Sequence, residues 1–278
     1  MSFHFASCNE MFGAADARGL AAQCRTLREA GYEGIEIAPF TLSDRPSLLS
    51  ASARRECRDA ITGEGMRFVG LHWLMVSSEG LHVTAPDAAL RARGWERIRE
   101  LVDLCADLGD GGVMVFGSPK QRGTTGGLKP AEAVEHFIEG MSGVAPHAGQ
   151  RGVAILVEAL PRNQCDVIVN LAEAAAVVAR VNHPAVKTMF DTHNAVDETE
   201  PHAALIERYW PLIRHVHVNE TDGRHPGADG YDFAAVLAVL QRLNYGGWVS
   251  VEAFDFSPGA ERIARESIAH LKRQGGLA

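Results

Sequence analysis

Residues 153–191 read VAILVEALPRNQCDVIVNLAEAAAVVARVNHPAVKTMFD, and this stretch decides the fold. Two short apolar runs, VAILVE at 153–158 and VKTMFD at 186–191, lie on either side of the longer segment LAEAAAVVARVN. A near-continuous apolar run is typical of a strand buried on both faces, whereas apolar residues three and four positions apart predict an amphipathic helix. The stretch therefore predicts one strand–helix–strand unit of a parallel sheet.

The same unit repeats along the whole chain. The other strand candidates are FHFASC (3–8), GIEIA (34–38), RFVGLHW (67–73), GVMVFG (112–117), IRHVHV (213–218) and WVSVEA (248–253). The other clear helical segments are ADARGLAAQCRTLREAG (15–31), LRARGWERIRELVDLCADLG (90–109) and DFAAVLAVLQRLNYG (232–246). Consecutive strands are about 35 residues apart, which is the size of one unit of a (β/α)₈ barrel.

We therefore expect an α/β fold, a single (β/α)₈ TIM barrel domain over residues 1–278. A doubly wound sheet is the alternative. It is disfavoured because the first strand runs into CNEMFG, whereas dinucleotide-binding sheets usually have a GxGxxG turn at this point.

Composition excludes several classes of function. The 278 residues are 46% hydrophobic and 22% charged, as in ordinary globular proteins. With 27 Lys plus Arg against 35 Asp plus Glu, the net charge of −8 disfavours binding to nucleic acid. The chain shows neither a leader pattern nor a run of 18 apolar residues, so we expect a cytoplasmic protein without a membrane partner. Five scattered cysteines without a CxxC pair indicate buried reduced thiols.

Polar residues end the last four predicted strands. In such barrels the active site lies at the carboxyl ends of the strands, so Glu158, Asp191, His217 and Glu252 are expected to meet at one rim. Three carboxylates and an imidazole in an apolar cup repel one another unless a cation lies between them. Oxygen ligands with one nitrogen favour Mn²⁺, with Mg²⁺, Co²⁺ or Zn²⁺ as alternatives. The competing interpretation is four unconnected salt-bridge residues at strand ends.

This metal set suggests carbonyl chemistry on a sugar. One glutamate of the pair Glu158 and Glu252 would take the proton from a carbon next to a carbonyl, and the other would return it. The ion would carry the oxyanion charge of the enediolate. We therefore predict a metal-dependent sugar isomerase or epimerase that acts through a metal-stabilised enediolate.

Further substrate-binding candidates come from strands 2, 3 and 7. His72 and Trp73 end the third strand, where they could stack on a sugar or hydrogen-bond to it. Glu36 points to the face opposite its apolar neighbours, which suits either a substrate hydroxyl or a salt bridge with Arg224. His215 lies one layer deeper than the second histidine of the HVH motif, as second-layer support or as a substrate contact.

The glycine-rich segment GSPKQRGTTGG (117–127) follows strand 4 at the same face. Its Lys120 and Arg122 suit a phosphate or carboxylate, and the segment could fold over the site as a lid. A solvated loop is the alternative. The substrate is therefore expected to be a small-molecule sugar or sugar phosphate.

Several motifs together resemble a known family. They are CNEMF, GYEGIEIAPFTL, GLHWLMVS, VMVFGSPKQR, VEALPRNQCD, FDTHN, HVHVNETDGRHPGADGYDF and GGWVSVEAFDF. The chain resembles the xylose-isomerase-like TIM barrels, the sugar phosphate isomerases/epimerases that include ketose 3-epimerases, hydroxypyruvate isomerase, inosose dehydratase and the endonuclease IV repair enzymes. The resemblance implies the same four metal ligands, the two glutamates as acid and base, and a substrate-binding arginine after the HVH motif, for which Arg224 is the nearest match. It also implies a homo-oligomer, a dimer or tetramer.

Two positions depart from the pattern of that family. Many relatives have a substrate-contacting histidine three residues after the strand 6 aspartate, whereas His193 comes only two after Asp191. We expect His193 to contact the substrate from this shifted position. Gln164 stands where ketose 3-epimerases tend to have a second glutamate. Both departures disfavour a 3-epimerase of free ketohexoses and leave the metal site intact.

Three other functions stay open. A keto-polyol dehydratase of the inosose type would use the same residues, and a non-catalytic sugar-binding protein would keep the fold without the chemistry. An abasic-site endonuclease is disfavoured by the net acidity and by Tyr231, which stands where a further metal-binding histidine is expected.

Overall fold

Eight parallel strands close into a barrel in the order in which they follow along the chain. The computed structural model describes residues 3–76 and 78–277. The strands are β1 (His4–Cys8), β2 (Gly34–Ile37), β3 (Arg67–Leu71), β4 (Val113–Phe116), β5 (Ala154–Val157), β6 (Val186–Asp191), β7 (Ile213–Val218) and β8 (Trp248–Val251). The first and last strands pair in parallel, with His4 opposite Trp248. The predicted TIM barrel is confirmed.

Helices cover the outside of the barrel between the strands. They are α1 (Ala17–Ala30), α2 (Ala51–Gly63), α3 (Ala88–Leu108), α4 (Pro119–Arg122), α5 (Pro130–Gln150), α6 (Leu171–Val181), α7 (His202–Tyr209), α8 (Phe233–Arg242) and α9 (Ala260–Gln274). The sequence sets the ends of α1 directly. Asp16 accepts a hydrogen bond from the backbone N–H of Gly19 at 2.9 Å, and Gly31 ends the helix at φ 109°, a left-handed conformation that suits glycine.

The predicted strands agree with the structure for β6 and β7 and are one or two residues too long for the other six. The expected ends of strand 3 at Trp73 and of strand 8 at Ala253 are wrong, because the ladders stop at Leu71 and Val251. At Trp73 the backbone turns to φ 50°, which is incompatible with a strand. The polar residues that follow each ladder leave the sheet and lie at the rim.

Alternation along each strand decides which side chains enter the barrel. The main core lies between the sheet and the helices. A separate small cluster of buried side chains consists of Val115, Leu156 and Met189. Two residues beyond Leu156 and Met189, the same alternation turns Glu158 and Asp191 inward. The apolar layer inside the barrel therefore lies below the carboxylates of the rim.

The five cysteines are free and buried, as the sequence predicts. No helix within residues 3–76 and 78–277 has both the length and the apolar character needed to cross a membrane. Residues 1, 2, 77 and 278 belong to the expected domain, and residue 77 also ends the GLHWLMVS motif. These four lie outside the described residues.

Candidate active site

The four predicted rim side chains come together at the carboxyl end of the barrel. Glu158 follows β5, Asp191 ends β6, His217 lies in β7 and Glu252 follows β8. All four are buried, with exposed fractions from 0% to 6%. The Nδ1 atom of His217 is 3.2 Å from Oε2 of Glu252 and 3.7 Å from Oδ2 of Asp191. One donor atom each from Glu158, Asp191 and His217 lie within 4.8 Å of one another.

This cluster fits a divalent cation. Oδ2 of Asp191 is buried and has no hydrogen-bond partner among the described residues, which is the state expected of an atom that faces an ion. Burial, together with the charges of Asp191 and Glu252, raises the pKa of Glu158 to about 8. Burial also raises the pKa of Glu252. A cation between these groups would relieve their repulsion, and three carboxylates with one imidazole are a ligand set that such ions accept.

The sequence analysis missed two residues that determine where the carboxylates lie, Asn194 by hydrogen bonds and Gly117 by its lack of a side chain. The side-chain amide of Asn194 donates to Oε1 of Glu158 at 2.9 Å, and its backbone N–H donates to Oδ1 of Asp191 at 2.8 Å. Gly117 leaves room for the same glutamate, because a Cβ atom there would lie 2.1 Å from Oε2 of Glu158. The FDTHN motif contains Asn194, but the spacing of Asn194 and Glu158 in sequence gave no signal of the contact.

Glu36 lies behind His217, away from the mouth of the barrel. Its Oε1 is 3.0 Å from Nε2 of His217 and its Oε2 is 2.8 Å from Nε2 of His215. Burial works to raise the pKa of Glu36, but the two histidines hold it well below its usual range. A carboxylate only accepts, so Glu36 keeps a proton on Nε2 of His217, and Nδ1 is the ring atom that would bind a cation.

The expected salt bridge between Glu36 and Arg224 is wrong. Glu36 is fully buried, and histidines occupy both of its oxygen atoms. The buried position of Glu36 also disfavours its predicted contact with a substrate hydroxyl. Glu36 is a residue that orients His217, and His215 supports it from below.

Trp73 connects the mouth of the barrel to Glu252. Its indole N–H donates to Oε1 of Glu252 at 2.8 Å. The ring stacks with Phe254 at a centroid distance of 5.9 Å and an interplanar angle of 6°, and with Phe40 at 6.0 Å and 20°. Trp73 can therefore offer an apolar face to a sugar and fix the orientation of Glu252 at the same time.

His72 occupies a different position from the one predicted. It is fully buried, and its Nε2 lies 2.7 Å from Oε2 of Glu10. Burial works to lower the pKa of His72, but the charge of Glu10 and the hydrogen bond to it raise it overall. The sequence analysis missed Glu10, because the pair is 62 residues apart in the chain. His72 faces its partner rather than the open cavity beside Trp73.

An open cavity of about 470 Å³ lies above the four buried side chains. It is lined by Trp73, Val76, Ser118, Pro119, Lys120, Gln121, Gln164, His193, Asp222 and Phe254. Three of the predicted substrate-binding residues, Trp73, Lys120 and His193, are among them. Nδ1 of His193 donates to the backbone carbonyl of Thr221 at 2.7 Å, so the ring is held at this wall.

The glycine-rich segment 117–127 contains the short helix α4 rather than an extended loop. Lys120 is exposed at the cavity, but Arg122 is fully buried and does not reach it. Nη1 of Arg122 donates to the backbone carbonyls of Phe116 at 3.0 Å and Glu158 at 2.6 Å. The expected anion contact by Arg122 is therefore wrong, and this side chain ties α4 to the ends of β4 and β5.

Arg224 does not line the cavity. Its guanidinium pairs with Asp222 at 2.6 Å and with Asp229 at 3.4 Å. The loop that carries it is held by the buried Glu220, whose carboxylate accepts three backbone N–H groups. The structure thus places the predicted substrate-binding arginine in an ion-pair network beside the mouth, where its neighbour Asp222 lines the cavity.

Comparison with known proteins agrees with this architecture. A family model described as xylose isomerase-like TIM barrel matches residues 24–274. The chain belongs to this family. It is 32% identical over 233 residues to a D-psicose 3-epimerase of Agrobacterium fabrum. That alignment covers 82% of this chain and 77% of that protein. It is 26% identical over 256 residues to a ketose 3-epimerase of Arthrobacter globiformis. That alignment covers 90% of this chain and 83% of that protein.

A solved structure shows the same fold. The crystal structure of a D-psicose 3-epimerase in the presence of D-fructose superposes with a TM-score of 0.84 at 21% identity, over 99% of this chain and 100% of that chain. Both of these relatives found by sequence are epimerases, and epimerases are isomerases, the enzyme class that the sequence predicts.

Proposed function

We propose that this protein is a divalent-metal-dependent isomerase of keto sugars, most simply an epimerase at a carbon next to the carbonyl. The observation that carries the proposal is the buried cluster in which Glu158 and Glu252 lie on either side of His217 and Asp191. The two 3-epimerase relatives support it, since both act on carbons of this kind.

Glu158, Asp191, His217 and Glu252 would hold the ion. The unpartnered Oδ2 of Asp191 and the Nδ1 atom of His217 that faces the carboxylates fit this role. The ligand set favours Mn²⁺, with Mg²⁺, Co²⁺ and Zn²⁺ as alternatives. When bound, such an ion supplies positive charge for the oxygen atoms of a substrate carbonyl and its neighbouring hydroxyl.

The two glutamates carry the proton. One carboxylate removes hydrogen from the carbon that bears the hydroxyl group, and the electron pair moves to the adjacent carbonyl to form an enediolate. The other glutamate then donates a proton, to the opposite face of the same carbon in an epimerisation or to the neighbouring carbon in an isomerisation. Burial raises the pKa of both Glu158 and Glu252, which brings their protonation closer to neutral pH, where proton transfer is most efficient.

The orientation of each glutamate comes from a different partner. Asn194 donates to Glu158 and Trp73 donates to Glu252, so both carboxylates are fixed before a substrate arrives. This matters because small errors in the position of a reacting group reduce the rate strongly. Asn194 and Trp73 are therefore positioning residues for the proton transfer.

The open cavity supports a small sugar as substrate. Trp73 and Phe254 form an apolar wall, and Lys120, Gln164 and His193 supply polar groups. Among the described residues that line the cavity, Lys120 is the one lysine or arginine, and it could meet a phosphate group. A cytoplasmic location, a single domain and a homo-oligomeric assembly stay predictions from the sequence.

Product analysis tests the proposal. The metal-loaded enzyme, its Glu158→Gln and Glu252→Gln variants and the surface control Glu139→Gln would be incubated with ketoses, keto-polyols and their phosphates. We expect the wild type and the control to form an epimer or isomer, and the two active-site variants to be at least about 100-fold slower. A dehydrated product would identify the keto-polyol dehydratase instead. Metal-independent sugar binding without turnover, or cleavage of an abasic-site duplex, would contradict the proposal.

A further inference from the structure

A second group of metal-binding side chains lies behind Glu252. Cys8 ends β1, Glu10 begins the turn that follows this strand, and His72 directly follows β3. Their exposed fractions are 1%, 5% and 0%. These residues come from β1 and β3, whereas Glu158 and Asp191 come from β5 and β6, so they are not part of the cluster proposed for the first ion.

The donor atoms of this group converge. One donor atom each from Cys8, Glu10, His72 and Glu252 lie within 4.8 Å of one another. Two ligands of a bound ion are normally separated by less than this distance, since metal–ligand bonds are about 2.0–2.3 Å long. Nδ1 of His72 is buried without a hydrogen-bond partner, and the nearest oxygen of Glu36 is 3.9 Å away. The group therefore contains an unsatisfied imidazole nitrogen in addition to its convergent donors.

The buried acidic groups at this end of the barrel also favour a second cation. Six of the described carboxylates at this end of the barrel are buried: Glu10, Glu36, Glu158, Asp191, Glu220 and Glu252. The fully buried guanidinium of Arg122 bonds backbone carbonyls rather than any of them. A divalent ion among Cys8, Glu10, His72 and Glu252 would add positive charge next to this group of acidic side chains, where buried negative charge is unfavourable.

We propose that Cys8, Glu10 and His72, together with a shared Glu252, form a second metal site that takes zinc or a similar thiophilic divalent cation. A thiolate, an imidazole and carboxylate oxygens are a ligand set of four that tetrahedral Zn²⁺ accepts. The first cluster has no sulfur ligand, so the two sites differ in chemistry as well as in position.

Cobalt titration tests this site without reference to turnover. Protein freed of metal with a chelator would be titrated with Co²⁺, and the bound metal counted by elemental analysis after desalting. We expect two Co²⁺ per chain and a near-ultraviolet absorption from thiolate-to-Co²⁺ charge transfer. Cys8→Ser should bind one Co²⁺ and lose this absorption, whereas the control Cys24→Ser, at another buried thiol on α1, should behave as the wild type.

Two further variants separate the sites. His72→Asn should also reduce the stoichiometry from two to one, which keeps the test available if the serine variant does not fold. His217→Asn removes a ligand of the first site and should retain one Co²⁺ with the thiolate absorption. The proposal is overturned if the wild type binds one Co²⁺ without that absorption, or if His217→Asn abolishes it. If the proposed enzymatic function fails because the first site binds no ion, the wild type should bind one Co²⁺ with the thiolate absorption, so the two ideas fail separately.

Discussion

Replacing Glu158 with glutamine should stabilise the metal-free protein while it removes activity. The glutamine keeps the shape of the side chain and can still accept the hydrogen bond from Asn194. It removes a carboxylate that burial, Asp191 and Glu252 force to hold its proton up to about pH 8. The unfolded chain releases this proton near the ordinary pKa of 4.5, so the metal-free wild type loses stability as the pH rises from about 5 to about 8.

The size of the effect follows from that difference in pKa. At about 1.4 kcal/mol for each tenfold change in proton affinity, the contribution is roughly 3 kcal/mol at pH 7 and roughly 4 kcal/mol at pH 8. Glutamine is neutral at every pH and avoids this loss. Because 1 kcal/mol corresponds to about 2–4 °C in Tm for a chain of this size, Glu158→Gln should unfold roughly 6–12 °C above the wild type at pH 7.

Thermal unfolding in the presence of a chelator measures this difference. Wild type, Glu158→Gln and the exposed control Glu139→Gln on α5 would be compared at pH 5 and pH 8. We expect the three to agree at pH 5 and the active-site variant alone to gain at pH 8. Added Mn²⁺ should then raise the Tm of the wild type more than that of the variant. An advantage of Glu158→Gln that is equal at both pH values would refute the electrostatic reasoning.

Three further substitutions test the supports of the site. Glu36→Gln weakens the partner of His217, so metal affinity measured by calorimetry should fall about 10–100-fold; unchanged affinity would contradict the orienting role. Trp73→Phe keeps an aromatic ring and loses the N–H hydrogen bond to Glu252, which is worth about 1–1.5 kcal/mol. We expect kcat to fall roughly tenfold with little change in KM, whereas a rise in KM alone would point to a role in substrate binding instead. Gly117→Ala places a Cβ atom 2.1 Å from the carboxylate of Glu158, so it should weaken metal binding at least about tenfold while the far-ultraviolet spectrum stays that of the wild type. Wild-type affinity would show that this carboxylate can move aside.

Much of the fold is predictable because its signals are local. The strand and helix patterns and their spacing identify the barrel, and the rule that active sites lie at strand carboxyl ends brings Glu158, Asp191, His217 and Glu252 together. The alternation of side chains along each strand then turns them inward, since each is two residues beyond an inward-facing position.

The rest of the site depends on contacts between residues far apart in sequence. Glu10 and His72 pair across 62 residues, and Glu36 meets His217 across 181. Whether a buried glutamate faces a substrate or a histidine depends on the closure of the barrel, which no local pattern encodes. Arg122 shows the same limit, because a basic residue in a glycine-rich segment gives no sign that it will be buried against backbone carbonyls.

Proton exchange in D₂O tests the central claim most directly. The enzyme would be loaded with Mg²⁺, which avoids the paramagnetic broadening of Mn²⁺, and mixed with a panel of ketoses, keto-polyols and their phosphates while NMR follows the hydrogen atoms next to each carbonyl. We predict that deuterium enters such a position in at least one substrate, that a chelator stops the exchange, and that Glu158→Gln and Glu252→Gln slow it at least about 100-fold. Exchange that persists in both variants, or sugar binding without any exchange with Mg²⁺, Mn²⁺, Co²⁺ or Zn²⁺, would contradict proton transfer by these two glutamates.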